Sequence, residues 1–248
     1  MEEDKMRKYL LIIFGLFLTL GITSNSYADR RSYVWTYEYQ TMPKGMWELE
    51  YYFTSSVAKL EKSNVNTLKQ QVELEYGITN HWDVAMYQMY KINNKESETD
   101  SGYDGFKIRT RYRFGEKGQF IADPLVYLEY IRDPDFHKPN VIEGKLVLAK
   151  DIGDLNISYN QIFERNLENR GKTESGYAVG VSYRVMSVLR LGIESKGSYS
   201  ERETAVGPTL SWSGLLFSKH LFVSLGTVWG VNKRTDDLQT RMIAGMLF

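Results

Sequence analysis

Lys107, Arg109, Arg111 and Arg113 recur at every second position, as do two earlier pairs of glutamates, Glu48 with Glu50 and Glu73 with Glu75. Charges spaced by two share one face of a β-strand, whereas a helix would scatter them around its axis. Enclosed away from water, such groups survive only in pairs. Lining a water-filled bore, acidic and basic walls set up a transverse field that sorts charged solutes. Their chemistry is therefore internal ion pairing or solute selection, and the residues leave both open. Catalysis finds no anchor. His81, His137 and His220 all fall on polar links, and none is followed by a serine two residues on. Asp133-Pro134-Asp135-Phe136-His137 joins acids to a histidine, but its composition is that of a solvated turn rather than a metal or acid-base site. Neither a phosphate-cradling Gly-rich loop nor a paired Cys/His motif occurs. The expectation is no catalytic group, no metal and no cofactor.

The elements that carry these charges have a period of two. In 46–58, Trp47, Leu49, Tyr51 and Phe53 alternate with Glu48, Glu50 and Thr54; in 67–77, Val72, Leu74 and Tyr76 alternate with Gln71, Glu73 and Glu75. In 105–114, Phe106, Ile108, Tyr112 and Phe114 interleave with the four basic residues. Alternation recurs around 142–149, 155–163, 177–185, 189–196, 206–213, 220–229 and 239–248, and is ragged at 82–92 and 125–132. The fold class is all-β. Apart from the N-terminal segment, no stretch is long and apolar enough for a spanning helix of about 20 residues, so a membrane-embedded form must be a closed barrel, which satisfies every backbone group. Links alternate in length. Short turns fall at Thr79-Asn80-His81, Asp151 to Asp154 and Met186-Ser187, and longer polar links near 59–66, 94–104, 133–140, 167–174, 201–205 and 232–237, with 115–124 and 214–219 less short than the rule asks. Short periplasmic turns and longer extracellular loops are the asymmetry of bacterial outer-membrane barrels. Counting from about Met46 gives a transmembrane antiparallel up-and-down barrel of about 12 strands.

The ends carry their own marks. Arg7 and Lys8, an apolar run from Tyr9 to Ile22, and Ser26-Tyr27-Ala28 predict a secretory signal peptide over 1–28, cleaved after Ala28, with the basic region best read from Met6. The last strand places Met242, Ala244, Met246 and the terminal Phe248 on one parity, which resembles the aromatic ending by which barrel-assembly machinery recognises its substrates. Between them, 29–45 reads as a periplasmic lead-in or a segment folded into the lumen, with a thirteenth strand as the alternative. There Trp35, Tyr37 and Tyr39 share one parity before the turn Met42-Pro43-Lys44-Gly45, and would be aromatic ligand contacts if they enter the lumen.

Composition agrees. Aromatics make up 14% of the 248 residues, including 18 Tyr, a bias that suits pleated surfaces. The absence of cysteine excludes disulfides and thiolate metal sites, and a formal net charge of zero argues against nucleic acid as a partner. Trp47, Trp82, Trp212 and Trp229 near strand ends suit membrane-boundary girdles.

The run Tyr37-Glu38-Tyr39-Gln40-Thr41, Pro43-Lys44-Gly45 and Trp47-Glu48-Leu49-Glu50, followed by Glu73-Leu74-Glu75-Tyr76-Gly77-Ile78-Thr79-Asn80 and Trp82-Asp83-Val84, resembles outer-membrane barrels grouped with the phenol-degradation-pathway MetA family. The resemblance covers the first third of the mature chain. It implies a small barrel of a Gram-negative outer membrane that helps hydrophobic or aromatic compounds across, and it assigns no substrate residue. If the apolar parity faces lipid, the lumen also receives Glu129, Glu143, Lys145, Arg184, Arg190, Glu194, Lys196 and Arg241. Two functions remain open: a narrow channel or passive transporter for small or hydrophobic solutes, and a structural or interaction barrel with a closed, salt-bridged lumen. The expected partners are outer-membrane lipid and lipopolysaccharide, the barrel-assembly machinery and a small hydrophobic solute.

Overall fold

The computed structural model describes residues 31–168, 171–214, 218 and 220–248; the expected signal peptide over 1–28 lies outside them. Twelve strands follow one another: β1 (Trp47–Val57), β2 (Asn66–Thr79), β3 (Trp82–Asn94), β4 (Thr99–Arg113), β5 (Asp123–Arg132), β6 (Val141–Ile152), β7 (Leu155–Asn166), β8 (Thr173–Met186), β9 (Leu189–Ser198), β10 (Glu203–Ser213), β11 (Leu221–Gly230) and β12 (Leu238–Leu247). Each pairs antiparallel with its neighbours in sequence, and β12 returns to β1 to close the barrel. The seam is tight: Trp47 and Phe248 exchange both backbone hydrogen bonds, at 2.9 and 2.8 Å. Closure leaves no unpaired edge.

Every second side chain points outward, and the outward set is apolar. Leu74, Met86, Ile108, Leu128, Ile193 and Leu225 are among the exposed members. Trp47, Trp82 and Trp212 lie outward near one end of the barrel and Trp229 near the other. An exposed apolar band with aromatic rings at its margins is a surface made for lipid rather than water.

The two ends differ. Three connections at the end bearing the C-terminus are two-residue turns, 80–81, 153–154 and 187–188, while 114–122 and 214–220 are longer. At the opposite end every connection has four or more residues, and a 3-10 turn, Leu60–Lys62, sits in the first. The expected loop 94–104 is shorter than its composition suggests, because Thr99 pairs with Asn94 and Tyr103 with Tyr90, extending the hairpin to leave only 95–98 unpaired. A register shift beside Gly105, at φ +97°, accommodates the extension.

Residues 31–46 form no strand and run as irregular backbone within the barrel, touching inward side chains of β1, β3, β7, β9, β11 and β12. Tyr33, Val34, Tyr39 and Met42 are buried there. Among the described residues two apolar clusters thus lie inside the barrel. Val34 and Trp35 pack with Tyr52, Tyr87, Phe222 and Ile243, and Tyr37 and Tyr39 with Leu125, Tyr127, Val147 and Ala149. Each fully buried large apolar side chain contributes roughly 1.5–3 kcal/mol. Where the segment packs, the wall is apolar on both faces. That is why the alternation is ragged at 82–92 and 125–132: Ala85, Tyr87, Leu125 and Tyr127 face inward onto it.

Candidate functional site: a divided lumen

The register sets glutamate against glutamate, Glu48 opposite Glu75 and Glu50 opposite Glu73, which taken alone is repulsive. Three arginines resolve it. On the next strands Glu75 lies beside Ala85, and Ala85 beside Arg109, so a short side chain on β3 lets the guanidinium of β4 reach β2. Arg109 meets Glu73 at 2.9 Å and Glu75 at 2.5 Å, and donates to the Tyr87 hydroxyl at 2.8 Å, with its own side chain wholly buried. Arg111 lies between Asp83, at 2.8 Å, and Glu75. From the inner segment, Arg31 grips Glu50 through Nε and Nη2 at 2.7 and 2.8 Å, a bidentate geometry of the strong kind. The Tyr52 hydroxyl lies 2.5 Å from Glu50 and 2.6 Å from Glu73, tying the two acids together. Farther round, Lys107 pairs with Glu129 at 3.0 Å and Lys145 with Glu143 at 2.8 Å.

The wall residues thus take distinct places. Glu48, Glu50, Glu73, Glu75, Arg109 and Arg111 are buried in the lumen, and Lys107 lines it. Arg113 sits near the short-turn rim, donating to the Asn80 carbonyl and pairing with Glu116 at 3.1 Å. Arg184 has the inward parity, but it lies past the filled section, exposed and 3.6 Å from Asp154.

The inner segment is held by backbone as much as by charge. The N–H groups of Val34, Trp35 and Thr36 donate to the two oxygens of Glu194 at 2.7, 2.8 and 3.0 Å, and the Thr36 hydroxyl adds a fourth bond at 3.1 Å. Asn160 receives the Tyr37 N–H at 2.6 Å and returns a bond to its carbonyl at 2.9 Å. Tyr33 donates to Asn156, and the Met42 N–H to Asp83 at 3.0 Å. At the base of the segment, Gly77 exchanges backbone bonds with Gly45 and Met46. A Cβ on Gly77 would lie 2.0 Å from the Pro43 carbonyl oxygen, so only glycine admits this approach.

These contacts fill the half of the bore nearer the short turns. Above them, toward the longer connections, lies a cavity of about 390 Å³, floored by Trp35 and Tyr37 and walled by Lys107, Lys145, Lys196 and Arg241 among others. Trp35 and Tyr37 reach it. Tyr39 does not, because its hydroxyl is spent at the short-turn rim on the carbonyls of Phe114 and Gly115.

Arg31, Asp83, Asn156 and Asn160 escaped the sequence reading. Asp83 had the right parity on β3 but looked like part of a turn motif, and the asparagines resemble ordinary polar wall positions until a neighbouring segment is placed against them. The Asp133–His137 run holds itself: Asp133 accepts the Asp135 N–H and pairs with Lys138 at 2.8 Å, and Asp135 accepts the His137 N–H. The Lys138 ammonium, with that backbone bond, holds the Asp133 carboxyl below the usual carboxylate range. Among the described residues no group of three or more histidines, cysteines or acids is placed to hold a metal.

A closed twelve-stranded barrel with a lipid-facing band, paired charges inside and loops of unequal length is the architecture of the porin-like barrels of bacterial outer membranes. Solved structures agree at the level of the fold. An outer-membrane channel from Pseudomonas putida F1 superposes with a TM-score of 0.60 at 9% identity, covering 87% of this chain and 100% of that one. The KdgM porin, solved with a disordered oligogalacturonate, gives 0.53 at 10% identity over 81% of this chain and 98% of its own. The NanC porin gives 0.52 at 10% identity with the same coverage. No protein-family model matches the chain, and no curated protein matches it by sequence.

Proposed function

We propose that the protein is an outer-membrane channel whose bore is stopped by its own N-terminal segment, residues 31–45, and which passes small or hydrophobic solutes when that segment shifts. The division of the lumen carries the reading: a vestibule of about 390 Å³ opens toward the longer loops, while the half nearer the short turns is occupied by chain held through noncovalent bonds alone. In this reading the short turns and C-terminus face the periplasm and the longer loops face outward, in contact with lipopolysaccharide. The signal peptide over 1–28 directs export, and the strand ending at Phe248 engages the barrel-assembly machinery. The resemblance to the MetA group points the same way, toward hydrophobic or aromatic cargo. The buried ion pairs of Arg109 and Arg111 support a second reading, a permanently closed structural barrel, since such pairs also rigidify a filled interior.

A reversible lock separates the two. A Cβ built on Gly226 falls 2.4 Å from Val34 Cγ2, which brings the two Cβ positions within about 4 Å, the span of a disulfide. The chain has no cysteine of its own, so the pair Val34→Cys and Gly226→Cys is unambiguous. In planar bilayers the reduced protein is expected to conduct and the oxidised one to fall silent. Silence in both states would favour the closed barrel. Equal currents in both would place the path elsewhere than past residue 34.

A further inference from the structure

Two cations of the vestibule make no ion-pair contact, although its lining carries acids as well as bases. Among the described residues five cationic side chains line it, and three have carboxylate partners: Arg31 with Glu50, Lys107 with Glu129 and Lys145 with Glu143. Lys196 and Arg241 do not. Among the described residues neither has a carboxylate oxygen within 4 Å; Glu203 and Asp236 also line the cavity, but farther off. Glu194 is only two residues before Lys196 on the same face of β9, but its oxygens are consumed by the three N–H groups of the inner segment. What the two cations share is the Trp35 ring, with Lys196 Nζ 5.2 Å and Arg241 Cζ 5.6 Å from its centre. The ring attracts cations but does not neutralise them. Arg241 also donates to the Thr54 hydroxyl and the Val34 carbonyl, two neutral acceptors that fix its direction and leave guanidinium donors unused.

Two cations that no carboxylate touches, held over one ring in a partly enclosed polar cavity, favour an anion that can reach both. The remaining lining specifies the anion's body. Tyr37, Tyr52, Tyr87 and Tyr127 join Trp35 around the same space, so five aromatic side chains flank the charged patch. Its volume falls in the range of roughly 300–1,000 Å³ typical of small-molecule sites. We infer that the vestibule is a binding site for a small aromatic carboxylate, its carboxylate between Lys196 and Arg241 and its ring against Trp35 and the tyrosines. This deepens the channel reading by naming the solute class, and rests on the vestibule being the outer half of a solute path.

Calorimetric titration of the folded, full-length barrel in detergent with sodium benzoate, acetate and glucuronate tests it. Benzoate is expected to bind saturably and at least about tenfold more tightly than the other two, a step of about 1.4 kcal/mol. Lys196→Met should weaken benzoate by about tenfold or more and Lys196→Arg should restore most of it, while Trp35→Leu should erase the preference over acetate. Retention of the unboiled gel mobility checks that each variant is folded. In the unsubstituted protein, benzoate should slow acetylation of Lys196 relative to exposed Lys62, which needs no variant. Absence of saturable benzoate binding, acetate binding as tightly as benzoate, tighter glucuronate binding, or an unchanged Lys196→Met would each overturn the inference. None of these readouts needs an open bore, so benzoate binding without current would refute the channel reading alone.

Discussion

Glu194→Gln is the sharpest single probe of the inner segment. One Glu194 oxygen accepts two N–H groups and the Thr36 hydroxyl, and the other accepts the Val34 N–H at 2.7 Å. An amide keeps only one acceptor oxygen. If it stays at the three-donor position, an NH2 faces the Val34 N–H, and one charge-assisted bond is exchanged for a donor-donor contact. Hydrogen bonds to charged groups are worth roughly 1.5–3 kcal/mol, so the docked-to-undocked ratio should fall by about 10- to 150-fold while the barrel wall stays intact. The assay is maleimide labelling in a Val34→Cys background, where residue 34 is buried and the chain has no competing thiol. Labelling by a small reagent should accelerate by at least about tenfold in Glu194→Gln, and channel opening in bilayers should become more frequent. Unchanged labelling, with unboiled gel mobility retained, would refute the claim that this carboxylate holds the segment in place.

Arg109→Met should cost roughly 3–5 kcal/mol in urea unfolding, because it removes the close cation of buried Glu73 and leaves Glu75 to Arg111 alone, and adding Glu73→Gln should recover part of that; a loss below about 1 kcal/mol would mean the site is hydrated. Gly77→Ala should displace the base of the inner segment or lower the unfolding free energy by roughly 1–3 kcal/mol, given the 2.0 Å approach of the Pro43 oxygen, and wild-type stability would show that the approach relaxes without strain. The Lys59 ammonium and the Leu60 N–H hold the Asp237 carboxyl below its ordinary value, so the clasp between connections 58–65 and 231–237 is complete at neutral pH and is lost as pH falls below roughly 4. Hydrogen exchange at the Leu60 amide should accelerate there relative to the intrinsic rate, and should not on raising pH to 9. Removing Phe248 should lower the yield of barrel assembled in cells while leaving refolding in detergent intact; equal yields would remove the assembly role of that residue.

Much of this was legible along the chain because a barrel wall writes its two faces into alternate letters. Glu48, Glu50, Glu73 and Glu75 sit on the inward parity that their spacing predicts, and Phe248 closes the seam. What the alternation could not convey is who pairs with whom. That depends on register, and on Ala85 being short enough for Arg109 to pass over it. The inner segment was harder still. Its course is set by contacts with wall residues more than a hundred positions away, Asn156, Asn160 and Glu194, and no local period encodes them. The clue present in the sequence was negative: alternation fails at 82–92 and 125–132, where a wet lumen would have asked for polar side chains. An interior that turns apolar has something lying against it.

Gly45 joins the inner segment to β1 at φ +77°, with the first residue of that strand only two positions on. The segment is therefore a ligand tethered to its own receptor. Its local concentration at the docking surface is set by the leash rather than by the amount of protein, and for short flexible tethers that concentration is on the order of millimolar. Return after any excursion is a first-order event, indifferent to dilution. A free peptide with the sequence of residues 31–45 could compete only near that same millimolar level, whereas cutting the chain beside Gly45 would turn a self-contained stopper into a dissociable one.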